Sequence, residues 1–186
     1  MKRLFTALKI QPGKEFTDSF RQLRLGLRNE QIKWVEDHNI HITLKFFGET
    51  GEDQIPGICT VLKKCASDTS AITLRLAGLG IFGSAYAPKV VWAGIEPYSE
   101  LVSLMKRVHN DLRDLGFEPD RQNLVPHLTL GRIRSLNDKI TFNRVTGQFK
   151  NISSSGMQIG EMILYESILR REGPEYFVLE KFPFIK

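Results

Sequence analysis

The spacing of apolar residues predicts an alternation of strands and helices in the first part of the chain. Residues Leu4 to Ile10 alternate enough between apolar and polar types to form a strand. From Glu15 to Arg28 the apolar residues instead recur every three or four positions, which predicts a helix with one buried face. Ile40 to Phe47 predicts a second strand, which ends at Gly48, and the apolar residues between Ile55 and Cys65 predict a second helix.

The remainder of the chain continues this pattern with more strands than helices. Strands are predicted from Ala71 to Leu79 and from Lys89 to Ile95, and a third helix follows, with apolar residues along one face and Gly116 as its end. Beyond Pro126, four runs that have the character of strands lie at 127–133, 140–149, 157–169 and 176–182. Few helices and many strands favour an α+β fold, in which helices pack on one side of antiparallel or mixed sheets.

The length and composition of the chain fit a single folding unit. A chain of 186 residues, of which 41% are hydrophobic and 25% charged, is long enough to bury a sizeable core. These values argue against a disordered, fibrous or disulfide-based protein. No linker rich in Pro, Gly or Ser divides the sequence, so we predict one domain over residues 1–186 and take a monomer as the default.

Charge and hydropathy restrict the partners and the location. The net charge of +5 and a sequence pI near 9.3 suit a polyanionic partner without demanding one. No segment approaches the 18 apolar residues that a membrane helix needs, and the first residues lack the pattern of a signal peptide. We therefore expect a cytoplasmic protein with no membrane association, and free thiols at Cys59 and Cys65, because their spacing in a helix points them to different faces.

The most informative feature is a short motif that occurs twice. His41-Ile42-Thr43-Leu44 lies in the first half, and His127-Leu128-Thr129-Leu130 follows after nearly half the chain length. Since successive side chains of a strand point to opposite faces, the His and Thr of each copy share one face, while the Ile or Leu between them enters the core. If the two halves pack about a pseudo-two-fold axis, both motifs face one cleft.

Two imidazoles and two hydroxyls across one cleft suit the opening of a cyclic phosphodiester by water. The reaction needs a base that takes the proton of water and an acid that protonates the departing sugar oxygen, and histidine performs either task near neutral pH. The hydroxyls of Thr43 and Thr129 are placed to donate to the non-bridging phosphate oxygens, whose charge must be held during the reaction. The pair of motifs therefore predicts phosphoryl chemistry.

No metal or cofactor is predicted to take part. The four histidines are scattered along the chain, and neither a Cys-x2-Cys nor a His-Glu-x-x-His pattern accompanies them. His38 and His109 lie outside the motif, and we interpret them as structural residues of a loop and of a helix flank. The sequence thus favours a mechanism in which the threonine hydroxyls take the place of a metal.

These motifs and their surroundings resemble those of the 2H phosphoesterase superfamily, and in particular the bacterial and archaeal RNA 2′,3′-cyclic phosphodiesterases historically called 2′,5′ RNA ligases. The resemblance covers nearly the whole chain. It is carried by the opening strand at 3–8, the first motif with its flanks at 34–49, the strand at 90–95, the second motif at 126–132 and the closing hairpin at 164–167 and 173–176.

The resemblance implies a bilobal fold with two pseudo-symmetric lobes, each an antiparallel sheet backed by helices, and an active-site groove between the lobes. It also implies that RNA ending in a 2′,3′-cyclic phosphate is the partner, that it is hydrolysed to a 2′-phosphate, and that no obligate protein partner is needed. Some members in addition join tRNA half-molecules by a reversible 2′,5′ ligation. This is the function that we expect of the chain.

The resemblance further assigns roles to individual residues. His127 becomes the base that activates water, His41 the acid that protonates the leaving 3′ oxygen, and Arg132 a further phosphate contact. Strict alternation would place Arg132 on the opposite face from His127, so this contact requires Gly131 to mark a bulge or a strand end. The same alternation predicts that Lys45 and Phe47 share the face of His41.

Several alternatives remain open at this stage. The groove could belong to a non-catalytic RNA or nucleotide-binding module, or to a 2H phosphoesterase that acts on 2′,5′-oligonucleotides or other small cyclic phosphates. An aromatic side chain could stack on a nucleobase, and the candidates are Trp34, Phe46, Phe82 and Tyr86. Phe82 and Tyr86 are favoured among these, because both lie in a loop that contains glycine.

Overall fold

Two antiparallel sheets form the framework of the computed structural model, which describes residues 1–84, 86–119, 125–171 and 173–185. The strands, in chain order, are β1 (Lys2–Lys9), β2 (Gln31–Trp34), β3 (His41–Thr50), β4 (Ile72–Gly83), β5 (Pro88–Glu96), β6 (Leu128–Ser135), β7 (Met157–Ile159), β8 (Glu161–Leu169) and β9 (Pro174–Pro183). The first sheet has the order β3-β1-β8-β9 and the second the order β2-β6-β5-β4-β7. The sheets thus confirm the α+β class.

Four α-helices cover the sheets in pairs. They are α1 (Gly13–Gly26), α2 (Ile55–Ser67), α3 (Ser99–Asp111) and α4 (Lys139–Gln148). Helix α2 contacts β8 and β9 and packs against α3, which contacts β3, so these two helices back the first sheet. Helix α1 contacts α4, and its Phe20 ring packs on Trp34 of β2, so this pair backs the second sheet. Each lobe is therefore an antiparallel sheet backed by two helices, as expected.

The lobes do not coincide with the two halves of the chain. Helix α1 follows the first strand of the first sheet but packs on the second lobe, and β2 belongs to the second sheet, before the chain returns to the first sheet in β3. Strand β7 joins the second sheet and β8 the first, with only Gly160 between them. One cluster of buried apolar residues draws on both lobes.

One predicted strand proves to be a helix. Residues 140–149 were expected to be extended, whereas α4 spans Lys139–Gln148. The side chain of Asp138 caps this helix, because its Oδ1 accepts hydrogen bonds from the backbone N–H groups of Ile140 and Thr141 at 2.9 and 3.1 Å. Phe142 and Val145, three positions apart, form its buried face. The β-branched residues of the segment concealed both the cap and the helical spacing.

Two smaller differences concern strands. The run at 157–169 is divided at Gly160 into β7 and β8, which lie in different sheets, and the short strand β2 was not predicted. The other predicted strands and helices are confirmed, with ends that differ by a few residues. Gly116 ends the third helical segment in the left-handed conformation, with φ of 84°.

The first sheet curls until its two edges meet. β3 and β9 are the edge strands of this sheet, yet the side-chain amide of Asn39, two residues before β3 begins, donates to the carbonyl of Pro174 at the start of β9 at 3.1 Å. This contact brings the beginning of β9 beside the beginning of β3. Residues from the last hairpin of the chain therefore reach the first motif.

Two further expectations concern the cysteines and the membrane. Cys59 and Cys65 are both free thiols, the second fully buried, as predicted from their spacing. Burial raises the pKa of Cys59 to about 12 and that of Cys65 to about 11, so neither is a reactive thiolate. Within the described part of the chain, no helix combines the length and the apolar character needed to span a bilayer.

Candidate active site

Each motif lies at the start of a strand that pairs with the strand opening its half of the chain. The first motif is in β3, which pairs with β1, and the second begins just before β6, which pairs with β5. Both pairs contain a bulge at the same point of the motif. Thr6 pairs with Lys45 and Ala7 with Thr43, so that Leu44 is left out, and Leu130 is left out of the β5–β6 ladder in the same way.

The bulge reverses the alternation beyond each motif. In β6 it turns Gly131 toward the helices and brings Arg132 back to the face of His127 and Thr129, and all three line the same cavity. Glycine is required at 131, because an added Cβ would lie 2.7 Å from the Trp34 ring and 2.9 Å from a methyl of Ile32. Gly131 thus lies at a bulge, as a phosphate contact by Arg132 requires.

The corresponding bulge in β3 makes the prediction that Lys45 and Phe47 share the face of His41 wrong. Lys45 is buried on the helical side of the first sheet, where its ammonium donates to the carbonyl of Glu118 at 2.7 Å. Phe47 packs edge-on against Phe117, also away from the groove. The residue that returns to the face of His41 is Phe46, which occupies in the first motif strand the place that Arg132 occupies in the second.

A hydrogen bond supports the bulge in each lobe. A residue left out of the ladder has a carbonyl that needs another donor. In the first lobe, the Nε2 of His109 on α3 donates to the carbonyl of Leu44 at 2.9 Å. In the second lobe, the backbone N–H of Val35, just after β2, donates to the carbonyl of Leu130 at 2.8 Å. His109, expected only as a helix-flank residue, therefore helps to shape the first motif strand.

The two motif histidines are held in the same tautomer. The Nδ1 of His41 lies 2.6 Å from the carbonyl oxygen of Asn39, and the Nδ1 of His127 lies 2.9 Å from that of Val125. Because a carbonyl oxygen can only accept, each Nδ1 carries the proton of this hydrogen bond. The Nε2 of each ring is then the atom that can take up or release a proton, and each ring is oriented by the backbone two residues upstream.

Both histidines, with their threonines, line one cavity of about 360 Å³ between the lobes, which we call the groove. His41, Thr43, His127, Thr129 and Arg132 all belong to its wall. The structure thus brings together the two His-Thr pairs and Arg132, the five residues expected to act on the phosphate. This is the arrangement expected if the motifs face each other across one cleft.

Two aromatic rings flank each histidine. His41 lies 5.1 Å from Phe5 and 5.3 Å from Tyr176, measured between ring centroids. His127 lies 4.8 Å from Phe82, edge to face, and 6.2 Å from Trp92, and these two rings stack on each other at 4.9 Å. The rings limit the rotation of the imidazoles and reduce the access of water to them.

The other aromatic candidates lie in different surroundings. Trp34 lines the groove and packs on Phe20. Phe46 is 43% exposed, with the Arg3 guanidinium 4.9 Å above its ring. Tyr86 is 87% exposed and does not line the groove. Of the two candidates favoured from the sequence, only Phe82 therefore touches a motif residue, and Tyr176 was not anticipated because it lies far from the motifs along the chain.

Burial and a neighbouring charge act on His41. Burial lowers the pKa of His41 below its ordinary value of 6.5, the hydrogen bond to Asn39 opposes this, and the positive charge of Arg132 lowers it further. Arg132 of the second lobe lines the same cavity as His41 of the first. Burial also raises the pKa of Tyr176, although Arg132 and Arg3 both act in the opposite direction.

Asn39 is a further residue of the site that the motif did not reveal. Its carbonyl orients His41, and its buried side-chain amide holds the start of β9, which carries Tyr176. Asn39, His38 and the residues 33–36 line the groove and belong to the segment by which the chain crosses from the second lobe to the first. His38, interpreted as a loop residue, lies in the short helical turn Asp37–Asn39 of this segment.

Comparisons with known proteins agree with this geometry. A family model described as the 2′-5′ RNA ligase superfamily matches residues 12–167. The chain is 31% identical over 180 residues to an RNA 2′,3′-cyclic phosphodiesterase of Methanothermobacter thermautotrophicus, covering 97% of each chain. It is 33% identical over 185 residues to a protein of the same name from Archaeoglobus fulgidus, covering 97% of this chain and 99% of the relative.

A solved structure shows the same fold. A crystal structure of a protein from Thermus thermophilus superposes with a TM-score of 0.79 at 24% identity, covering 98% of this chain and 97% of the other. At this level of identity the likeness concerns the fold, with its two sheets and the groove between them. The family match and the two relatives establish that the chain belongs to the 2′-5′ RNA ligase superfamily.

Proposed function

We propose that the protein hydrolyses the 2′,3′-cyclic phosphate ends of RNA to 2′-phosphates, with His41 and His127 as acid and base. The observation that carries the proposal is the pair of imidazoles in one groove, each with its Nδ1 bound to a backbone carbonyl and a threonine hydroxyl beside it. The names of the relatives, which are RNA 2′,3′-cyclic phosphodiesterases, support the substrate class.

In the proposed reaction, the Nε2 of His127 removes a proton from water, whose oxygen attacks phosphorus. The bond between phosphorus and the 3′ oxygen breaks on the opposite side, and the Nε2 of His41 gives its proton to that oxygen. The products are a 2′-phosphate and a free 3′ hydroxyl. A 5′ hydroxyl in place of water would open the ring in the same direction and give the 2′,5′ ligation that we include in the proposal. In the reverse step, in which the 3′ hydroxyl attacks phosphorus, the two histidines exchange roles.

The lowered pKa of His41 bears on its role as the acid. Before substrate binds, burial and the charge of Arg132 favour the neutral ring. A phosphate anion between the two lobes adds a negative charge beside His41 and offsets the charge of Arg132. We therefore propose that His41 takes up its proton together with the substrate, so that the acid is formed only when the phosphate is in place.

Three other residues are proposed to hold the phosphate. Thr43 and Thr129 donate from the two lobes to the non-bridging oxygens, whose charge increases in the transition state. Arg132 offers a planar pair of N–H donors on the same wall, which fits a phosphate better than a single ammonium does. Charge on the phosphate is thus met by hydroxyls and one guanidinium.

We propose further that neither a metal nor a cofactor takes part. Among the described residues, no group of three His, Cys, Asp or Glu side chains lies close enough to hold a metal ion. The threonines and Arg132 provide an alternative way to bind the phosphate charge. Because the site draws on both lobes, we also propose that residues 1–186 act as one unit, a monomer without an obligate protein partner, in the cytoplasm.

One experiment tests the reaction, its direction and the metal together. A short RNA with a 2′,3′-cyclic phosphate end is incubated with the protein in excess EDTA, and the product is identified by its resistance or sensitivity to a 3′-specific phosphatase. We expect undiminished turnover to a 2′-phosphate. Loss of all activity on chelation would refute the metal-free mechanism, and a 3′-phosphate product would refute the assignment of the leaving oxygen.

The same assay separates the alternatives within the family. A 2′,5′-linked oligonucleotide is offered in parallel, and we expect it to be a poor substrate compared with the cyclic end. Preferential turnover of the 2′,5′ linkage would assign the protein to that class instead. Tight binding of both RNAs without turnover of either would indicate a non-catalytic binding module.

A further inference from the structure

A second cavity, of about 590 Å³, opens on the face of the first sheet from which His41 projects. It shares no lining residue with the groove. Its wall includes Lys9, Ile163, Tyr165, Val178 and Lys181, together with the segment that joins β7 to β8. The volume lies in the range of small-ligand sites. No part of the proposed reaction uses it.

The pairing of strands places this cavity directly beside His41. Lys9 is the cross-strand partner of His41, and residues paired in this way project from the same face of a sheet. Ala7, which pairs with Thr43 on one side and with Ile163 on the other, is buried together with Ile163, so the exposed route from the motif to the cavity runs over Lys9.

A chain of rings makes the same connection. Phe5 lies 5.1 Å from His41 and 5.1 Å from Tyr165, so a single ring separates the catalytic imidazole from the wall of the cavity. Tyr165 is only 7% exposed and its burial raises the pKa of the phenol. Among the described residues no hydrogen bond of its hydroxyl is found, and the hydroxyl is not one of the buried atoms without a partner, so it is open to a ligand in the cavity.

The charges around the cavity favour an anion at the end near His41. At the far end, the ammonium of Lys181 is paired with Glu161 at 3.0 Å. Lys9, exposed at the near end, has no carboxylate partner within the described part of the chain. A phosphodiester leaving the groove past Lys9 would meet an unpaired positive charge, while the body of the cavity offers apolar walls and a hydroxyl.

We propose that this cavity is a subsite for the nucleotide on the 5′ side of the terminal one. Lys9 binds the phosphodiester that links the two nucleotides. The hydroxyl of Tyr165 donates a hydrogen bond to the upstream nucleoside. The inference rests on the proposed function, since it assumes that the cyclic phosphate lies between His41 and His127. Such a subsite would make the enzyme prefer the cyclic end of an RNA strand to a single nucleotide 2′,3′-cyclic phosphate.

Three substrates separate the two contacts. Adenosine 2′,3′-cyclic phosphate reaches only the groove, its 5′-phosphorylated form adds the phosphate for Lys9, and adenylyl-adenosine 2′,3′-cyclic phosphate adds the upstream nucleoside. We expect kcat/KM to rise along this series. Lys9→Gln should lower kcat/KM roughly tenfold for the second and third substrates and leave the first unchanged, as loss of a charge-assisted hydrogen bond predicts.

Tyr165→Phe should lower kcat/KM about fivefold for the dinucleotide alone, since only the hydroxyl is lost. Lys106→Gln on α3 and Tyr98→Phe, both at exposed positions, are the matched controls and should change none of the three values. If wild type hydrolyses none of the substrates, the proposed function fails. Equal values for the three substrates, or variants that affect the mononucleotide as much as the dinucleotide, would overturn the subsite while the function stands.

Discussion

The two motif strands, β3 and β6, are built on one plan and then made different by their surroundings. Both place a histidine and a threonine on the groove, both bind the imidazole Nδ1 to a carbonyl two residues upstream, and both form a bulge at the following leucine. Beyond the bulge, the residue returned to the face of the motif is Arg132 in β6, which lines the groove, and Phe46 in β3, which is exposed and lies outside its wall.

This difference places a guanidinium beside the second motif and an aromatic ring beside the first. In the second lobe Arg132 lines the groove just beyond the motif, whereas in the first lobe the guanidinium of Arg3 lies over the Phe46 ring. Arg170 of the β8–β9 hairpin also lines the groove from the first lobe, but it is paired with Glu175 at 3.1 Å. Arg132 acts on the more buried histidine across the groove and lowers its pKa. A repeat in sequence has thus become two chemically unequal partners, which a reaction that needs both an acid and a base requires.

The largest expected effect comes from removing either imidazole. His41→Ala and His127→Ala should each lower kcat on an RNA 2′,3′-cyclic end by about 10²–10⁴, the usual contribution of a general acid or base. The double variant should lose little more than the worse single one, because both groups act in one step. Product binding by calorimetry and a thermal unfolding curve serve as controls. Wild-type turnover in either single variant contradicts the assignment.

Thr43→Val and Thr129→Val test whether the threonine hydroxyls of the two lobes contribute equally to binding the phosphate oxygens. Each removes one donor without changing the side-chain shape, and we expect kcat to fall about 10²-fold in both variants. Thr73→Val, at an exposed strand position of β4, is the matched control. A loss confined to one lobe would mean that the two hydroxyls face different oxygens, only one of which gains charge.

Arg132→Gln removes the guanidinium that distinguishes the second motif strand from the first. We expect kcat/KM to fall about ten- to a hundred-fold, which corresponds to the roughly 1.5–3 kcal/mol of a hydrogen bond to a charged group. Arg75→Gln, an exposed arginine paired with Glu96 on the second sheet, should leave kcat/KM unchanged. If the Arg132 variant had the activity of wild type, this side chain would not bind the phosphate.

The bulge of the first lobe depends on His109. His109→Leu leaves the carbonyl of Leu44 buried and without this donor, so the free energy of unfolding should fall by about 1–3 kcal/mol in a urea titration. Activity per folded molecule should fall as well, because Thr43 and Phe46 lie on either side of the bulge. Unchanged stability would show that the carbonyl finds another donor.

The smallest effect concerns the pKa of His41. An NMR titration of the free protein should give a value below 6.5, so the protonated form needed by kcat/KM is lost as pH rises through this lowered value. Arg132→Gln removes a charge that lowers the pKa, and should therefore raise it. Added inorganic phosphate should raise it too. A free-protein value above 6.5 would show that burial does not dominate.

The histidine and threonine pairs could be predicted from the sequence because they follow from the local alternation of side chains. The rule spans three residues and holds in both motifs. It fails one residue further on, where each bulge reverses it, so that Lys45 was placed on the wrong face. Arg132 is assigned from the family resemblance, against strict alternation, on the condition that Gly131 marks a break in the strand.

Other parts of the site depend on contacts between distant segments, which no local pattern contains. Asn39 meets Pro174, and Tyr176 meets His41, only because the first sheet curls until its edges touch. The helix α4 was predicted as a strand, since its β-branched residues favour extended structure and the cap at Asp138 was overlooked. Tertiary packing against α1 supports the helix instead.

The crossing of the chain between the lobes has a mechanical consequence. Strand β2 is hydrogen-bonded to β6 in the second sheet, and a few residues later the chain enters β3 in the first, so the segment 35–40 ties the two motif strands together. The connection between β7 and β8 is a second tie of this kind. Each tie joins a strand of one sheet to a strand of the other through very few residues. The distance by which the two motif strands can move apart is therefore limited by the reach of these short segments, at most about 3.3–3.6 Å per residue.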